Sequence, residues 1–300
     1  MSLNPGVIHE IATELGVNPS FIEKDWYAIK VVAAIASISN DSIVPVFCGG
    51  TSLSKAFGLL QRFSEDLDFR GQSISGGISS RPVRRAFRND VLAAVATVDG
   101  IDFDQDKMDA GSNYFKVALQ YPCRFDVSSA LRSELQLEFS FTQPQCEAES
   151  RLVSSFVAEY SDVGPETRVL CLSPIETAAD KMSALVWRVI KRDRSDENDD
   201  PTMIRHLHDL SLLMSIVQDG KSVFIETATS SFQTDMQSDT RTIEGNLPEA
   251  ATRAVSVMRS DRQYAGEYEQ FVAGMSYADE GAVIPYEKAL EQMERLIDMF

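Results

Sequence analysis

Two short stretches carry residue types suited to phosphate and metal chemistry. Gly49 and Gly50 follow the apolar run Ile43-Val44-Pro45-Val46-Phe47 and lead into Thr51-Ser52-Leu53-Ser54-Lys55. Asp66 and Asp68 then alternate within Arg62-Phe63-Ser64-Glu65-Asp66-Leu67-Asp68-Phe69. Glycines that open a helix let a ligand approach the backbone closely, and the first N–H groups of that helix face an anion. Side chains two apart on a strand share one face, so Asp66 and Asp68 offer two hard oxygen ligands to a divalent ion. A strand, a glycine turn, a helix and an acidic strand in this order can hold a triphosphate and the ion that neutralises it.

A third carboxylate would complete a site able to stabilise both attacking and leaving oxygens. Glu138 is favoured, because Leu135, Leu137, Phe139 and Phe141 alternate with Gln136, Glu138 and Ser140 as in a half-buried strand. Asp126 is the second candidate, in the loop-like Cys123-Arg124-Phe125-Asp126 after Pro122. Lys181 lies in a small-residue, apolar helix (Glu176 to Leu185) and suits a triphosphate as a flexible point charge. Asp209, in Arg205-His206-Leu207-His208-Asp209-Leu210, could orient Lys181, bind metal or accept a proton from an attacking hydroxyl. The histidines lack the i, i+4 spacing of a helical zinc pair. Arg81, Arg84, Arg85 and Arg88 fall on one helical face that would suit an RNA backbone, and Lys181, Arg188, Lys191, Arg192 and Arg194 form a second basic run.

Elements that must position these groups are readable from periodicity. Helices are predicted over 5–15 and 20–38, a buried strand over 43–47, a helix over 51–61 and a strand over 65–69. A Gly/Ser-rich flexible loop over 71–80 precedes a helix over 81–98 with Pro82 in its first turn. Strands are expected over 100–104, 114–121 and 135–141. Beyond Pro174 the pattern is helical: 175–190, 203–217, 247–258, 262–275 and 286–300, with a mobile acidic loop over 196–200. The chain therefore divides near residue 172.

The composition is that of a globular protein, with 44% hydrophobic and 24% charged residues. No apolar run approaches the length of a membrane span. Four scattered cysteines without a CxxC pair predict reduced thiols and a cytoplasmic location. The net charge of −17 argues against broad nucleic-acid binding but permits a local basic track.

With these residues in view, Gly49-Gly50-Thr51-Ser52-Leu53 with Lys55, followed by Arg62-Phe63-Ser64-Glu65-Asp66-Leu67-Asp68, resembles the signature of the AbiEii-like nucleotidyltransferase toxins, within the DNA polymerase β-like nucleotidyltransferase superfamily. Phe21-Ile22-Glu23-Lys24-Asp25-Trp26 is similar to that family's N-terminal helix. Lys181 with Ala184, Leu185 and Arg188, and then Arg205 to Leu210, are similar to its two C-terminal motifs. One departure is visible: where the family often has Arg-Asp-x-x-Asp-Leu, His206 replaces the first acid and Asp209 is kept.

The resemblance implies an α+β protein, with a nucleotidyltransferase-type mixed sheet and helices over 1–172 and a mostly helical domain over 173–300 that completes the active site. It further implies a toxin of a type IV toxin–antitoxin or abortive-infection system, with an antitoxin regulator encoded nearby. Such an enzyme transfers a nucleotide from an NTP with Mg²⁺, or Mn²⁺ in its place, to an acceptor hydroxyl such as the 3′ end of tRNA. On this reading Gly49, Gly50, Thr51 and Ser52 bind the nucleotide, with Lys55 and Arg62 bracing the turn. Asp66 and Asp68 hold the metal, Lys181 neutralises phosphate charge, and Asp209 orients it or assists proton removal; the family motif marks the third acid poorly, so Glu138 stays the favoured candidate and Asp126 the second. Two rival readings are the same fold acting on a protein or small molecule, and a non-catalytic nucleotide-binding regulator.

Overall fold

The structure, a computed structural model, describes residues 3–77 and 79–300, in two compact units, Met1–Leu172 and Ser173–Phe300. The first unit is built on a mixed sheet of seven strands: β1 (Ile43–Cys48), β2 (Asp66–Ser73), β3 (Asp109–Ala110), β4 (Tyr114–Gln120), β5 (Glu134–Ser140), β6 (Glu149–Val153) and β7 (Thr167–Cys171). Their order is β3-β4-β5-β2-β1-β7-β6, with β2 antiparallel to β1 but parallel to β5. Around it lie α1 (Pro5–Glu14), α2 (Pro19–Ala36), α3 (Gly49–Lys55), α4 (Arg81–Val95) and α5 (Phe156–Tyr160).

Alternation on four central strands fixes which face each side chain takes. Phe47, Phe69, Phe139 and Phe115 are register partners across β1, β2, β5 and β4. All four are at most 1% exposed, and the rings of Phe69, Phe139 and Phe115 stack at centroid spacings of 5.1 Å. Phe87 of α4 caps this row edge-on at Phe139. Aromatic pairs of this kind add roughly 0.5–1.5 kcal/mol each beyond the area they bury. A strand's side chains alternate between faces, so burying this row turns its neighbours to the opposite face: Cys48, Asp68, Glu138 and Lys116, again register partners. A slip of one residue would bury the carboxylates and expose the rings, so the core itself specifies the register of the polar row.

Several sequence expectations change. The helix expected over 51–61 ends at Lys55, short of Gly58, whose φ of +65° does not continue a helix. β2 runs on to Ser73, so the loop expected over 71–80 begins later, and its Ile78 lies outside the described residues. The strand expected over 100–104 is reduced to a single bridge between Asp102 and Gln120. Neither β6 nor β7 is predicted. Both are only five residues long, and β6 (Glu-Ser-Arg-Leu-Val) shows little apolar alternation.

The second unit comprises α6 (Pro174–Lys191), α7 (Arg205–Leu212), α8 (Met214–Asp219), α9 (Lys221–Asp235), α10 (Leu247–Ser260), α11 (Gln263–Met275) and α12 (Tyr286–Ile297). α6 packs against α7, α9 and α10. The helix expected over 203–217 is a 3₁₀ turn (Pro201–Ile204) followed by α7 and α8. α9 escapes prediction because its buried stripe, Phe224, Thr227, Ala228, Ser231 and Phe232, has helical spacing but contains two hydroxyl residues. No helix among the described residues is long and apolar enough to cross a membrane.

Candidate active site

β1 delivers the chain to Gly49, whose φ is +76°. A Cβ here would stand 2.0 Å from Asp68 Oδ2, and one on Gly50 would stand 2.7 Å from Arg62 Nη2. Glycine is thus required twice: for the left-handed backbone at Gly49 and for bare backbone beside a carboxylate and a guanidinium. The hydroxyls that follow point inward. Thr51 Oγ1 donates to the Asp66 carbonyl oxygen at 2.6 Å, tying α3 to the start of β2, and Ser52 is 1% exposed.

Lys55 and Arg62 brace this turn. The Lys55 ammonium is buried between Asp25 at 3.2 Å and Glu159 at 3.6 Å, and lies 3.7 Å from the centre of the Phe156 ring. Burial raises the Asp25 pKa and the charge of Lys55 opposes that shift. Arg62 is 2% exposed and donates from Nη1 to the Phe63 carbonyl oxygen at 2.7 Å.

Asp66 and Asp68 share the polar face of β2, and Glu138 is the register partner of Asp68 on β5. Lys116 Nζ donates to Glu138 at 2.6 Å, and Arg132 Nη2 donates to Asp66 Oδ1. Asp126 is exposed in the loop between β4 and β5. Among the described residues no three His, Cys, Asp or Glu side chains close around a common point as a metal cage. The donors present do fit magnesium, which is commonly held by one or two carboxylates, with water and substrate phosphates filling its octahedral shell.

Arg132 is a contact of this face that sequence reasoning misses. Lys24 Nζ reaches both Glu65 Oε1, at 2.7 Å, and the Arg132 carbonyl oxygen, at 2.8 Å. Burial lowers the Lys24 pKa, and Glu65 opposes that fall. Burial also works against the charge on Arg132, but Asp66 and Glu65 beside it outweigh this and raise its pKa. The carboxylate of Glu23, next in α2, accepts the Arg124 N–H at 3.0 Å, and that of Asp25 accepts the Phe156 N–H at 2.8 Å. The Phe21–Trp26 segment therefore holds α3, the start of β2 and the β4–β5 loop together through its charged residues. The signal was the run Glu23-Lys24-Asp25 inside an otherwise apolar helix.

In the helical unit, Lys181 Nζ lies 2.8 Å from Asp209 Oδ2, with the two side chains 8% and 0% exposed. His208 Nδ1 stands 3.4 Å from the other oxygen of Asp209. His206 Nδ1 is buried without a hydrogen-bond partner among the described residues. Its pKa falls well below the usual value, first through burial and then through Lys181, Arg205 and Arg188. Arg188 and Arg205 instead find a carboxylate in Asp200, at 3.4 and 3.2 Å. The acidic loop expected to be mobile is pinned there and by Asp199, which accepts from Arg192 at 2.7 Å.

The two basic runs fare differently. Arg192, 4% exposed at its side chain, also pairs with Glu267, Arg194 pairs with Glu267 and Asp261, and Lys191 donates to the Thr242 carbonyl. Arg192 and Arg194 are thus neutralised within their own unit. Arg81, Arg84, Arg85 and Arg88 line a groove of about 440 Å³ together with Tyr114 and Phe141. Arg81 and Arg85 are exposed and Arg84 is buried, and the Nε atoms of Arg84 and Arg88 lack partners among the described residues. Because α4 packs on the aromatic side of the sheet, this helix belongs to the layer opposite the carboxylates.

The model of the family described as nucleotidyl transferase AbiEii toxin, type IV toxin–antitoxin system, matches residues 31–292. Among solved structures, MenT4, a nucleotidyltransferase toxin of Mycobacterium tuberculosis H37Rv, is similar in fold with a TM-score of 0.59 at 15% identity, over 98% of this chain and 99% of that one. No curated protein matches the chain. The family match spans most of the sequence, glycine turn and acidic strand included, and the chain belongs to the AbiEii nucleotidyltransferase toxins of type IV toxin–antitoxin systems.

Proposed function

We propose that this nucleotidyltransferase moves a nucleotide from an NTP to the 3′-terminal hydroxyl of a tRNA, in a Mg²⁺-dependent reaction that Mn²⁺ also supports, in the cytoplasm. The observation that carries the reading is the pair Asp66 and Asp68 on one strand face, with the bare backbone of Gly49 directly against Asp68. Asp66 and Asp68 would hold the ion, with Glu138 at the adjacent register position. A bound divalent ion supplies Lewis-acid charge at the transferring phosphate. The Gly49-Gly50 turn would leave room for phosphate oxygens close to the main chain. Thr51, Lys55 and Arg62 would keep that turn in place rather than touch the ligand, since each is already engaged with protein groups.

Within the helical unit, Lys181, held by buried Asp209, is the cation best suited to phosphate. Breaking a buried pair leaves an uncompensated charge, so Asp209 would keep the Lys181 ammonium fixed in place. The groove of Arg81, Arg84, Arg85 and Arg88 supports an RNA acceptor, because the exposed guanidiniums of Arg81 and Arg85 beside the Tyr114 ring suit phosphate and base together. A type IV system pairs such a toxin with a cognate antitoxin. Incubating the protein with each α-labelled NTP, Mg²⁺ and total cellular RNA tests the proposal. Label in the tRNA fraction supports it, and label confined to protein or small molecules overturns the choice of acceptor.

A further inference from the structure

Arg132 has an unusual combination of a fixed main chain and a half-exposed head. Its N–H donates to Glu65 Oε1 at 2.5 Å, and its carbonyl oxygen accepts from Lys24 Nζ at 2.8 Å. Lys24 and Glu65 are themselves paired at 2.7 Å, with side chains only 4% and 16% exposed. The backbone at Arg132 is therefore anchored to α2 and to the start of β2 by a buried ion pair. By contrast, the Arg132 side chain is 42% exposed, and its guanidinium rests on Asp66 with Nε 3.6 Å from Glu65 Oε2.

A guanidinium on Asp66 Oδ1 occupies lone pairs that a divalent ion would need. The same group, once displaced, is a planar multi-donor cation suited to phosphate oxygens. Its anchored Cα keeps it beside β2 wherever its head turns. We propose that Arg132 is a substrate-positioning residue of the transfer reaction: from its anchored backbone its guanidinium engages the phosphates of the NTP and competes with the ion for Asp66. This rests on Asp66 being a metal ligand. It predicts two effects of opposite sign on removing the side chain. The ion binds more easily, because a competing cation is gone, and the NTP binds less tightly, because a charge-assisted donor is lost. A residue that only braced the loop would leave the affinity for NTP unchanged.

The test measures Mn²⁺ affinity of the nucleotide-free protein from the free-ion electron paramagnetic resonance signal, and kcat and KM for NTP, in wild type, Arg132→Ala, Arg132→Lys and Asp66→Asn. Arg132→Ala is expected to bind Mn²⁺ about two- to fivefold tighter, the size of a partly exposed ion pair. Its KM for NTP should rise by about tenfold or more, with kcat changed less. Arg132→Lys should fall between, since a point charge cannot reproduce the bidentate geometry. The unfolding midpoint of each variant checks that the main-chain anchor is retained. Unchanged or weaker Mn²⁺ binding in Arg132→Ala, or an unchanged KM, overturns the assignment. If Asp66→Asn loses Mn²⁺ while Arg132→Ala matches wild type, only the role of Arg132 falls. If Asp66→Asn binds Mn²⁺ as wild type does, the metal reading beneath it falls as well.

Discussion

Gly49→Ala separates backbone strain from carboxylate placement. The left-handed φ of +76° at this position costs an alanine roughly 1–2 kcal/mol, and global stability should fall by at least that much. The activity should fall further. The new Cβ would lie 2.0 Å from Asp68 Oδ2, whereas real Cβ contacts essentially never come below 3.0 Å, so the carboxylate must retreat by at least about 1 Å. A displacement of that size in a reacting centre costs on the order of 100-fold. Gly58→Ala is the internal control, because its φ is +65° but no atom lies within 4 Å of the added carbon. Urea unfolding should show the backbone cost in both variants and a further loss from the overlap with Asp68 in Gly49→Ala, while transfer of α-labelled nucleotide should collapse only in Gly49→Ala. Comparable transfer rates in the two variants would refute the claim that Gly49 exists to admit Asp68.

Lys55→Met leaves Asp25 buried without its cation and should cost about 3–5 kcal/mol, part of which Asp25→Asn restores in the double variant. Full stability with a raised KM for NTP would instead make Lys55 a nucleotide contact. His206 stays neutral in the folded chain to well below its usual pKa, while in the unfolded chain it takes up a proton near pH 6.5. Between those pKa values the unfolded state binds more protons, so stability falls as pH falls, by at most about 1.4 kcal/mol per pH unit. His206→Gln should flatten that slope in urea titrations run between pH 7.5 and 5, and an unchanged slope would show that His206 is not its source. Alanine at both Arg81 and Arg85 should weaken transfer to tRNA and reduce the steepness of its salt dependence by about 1–2 in logarithmic slope. Indifference to both changes would point to a small acceptor.

Local chemistry made the central carboxylates legible in the sequence. Asp66 and Asp68 alternate on a strand beside a glycine pair, and the alternation around Glu138 placed that residue beside Asp68 once the aromatic rows were brought into register. The Lys181–Asp209 pair was also readable, as charges within otherwise apolar helical segments. Arg132 was not, because its contact with Asp66 joins residues 66 positions apart through a loop with no periodic pattern. The pairing of the basic run ending at Arg194 was hidden for a related reason. Its partners Glu267 and Asp261 come from a distant segment, and a charge run reads the same whether it meets solvent or carboxylates. α9 was hidden by Thr227 and Ser231 in its buried stripe, where hydroxyls interrupt the apolar signal but not the packing.

The central claim is that Asp66 and Asp68 carry the metal-dependent transfer. The most direct test is Mg²⁺-dependent transfer of α-labelled NTP to RNA by Asp66→Asn and Asp68→Asn, alone and combined, each checked by circular dichroism for an intact fold. The account predicts loss of at least about 1,000-fold in each variant with the fold retained, consistent with removal of groups that stabilise transition-state charge. Transfer at the wild-type rate by the folded double variant would contradict it.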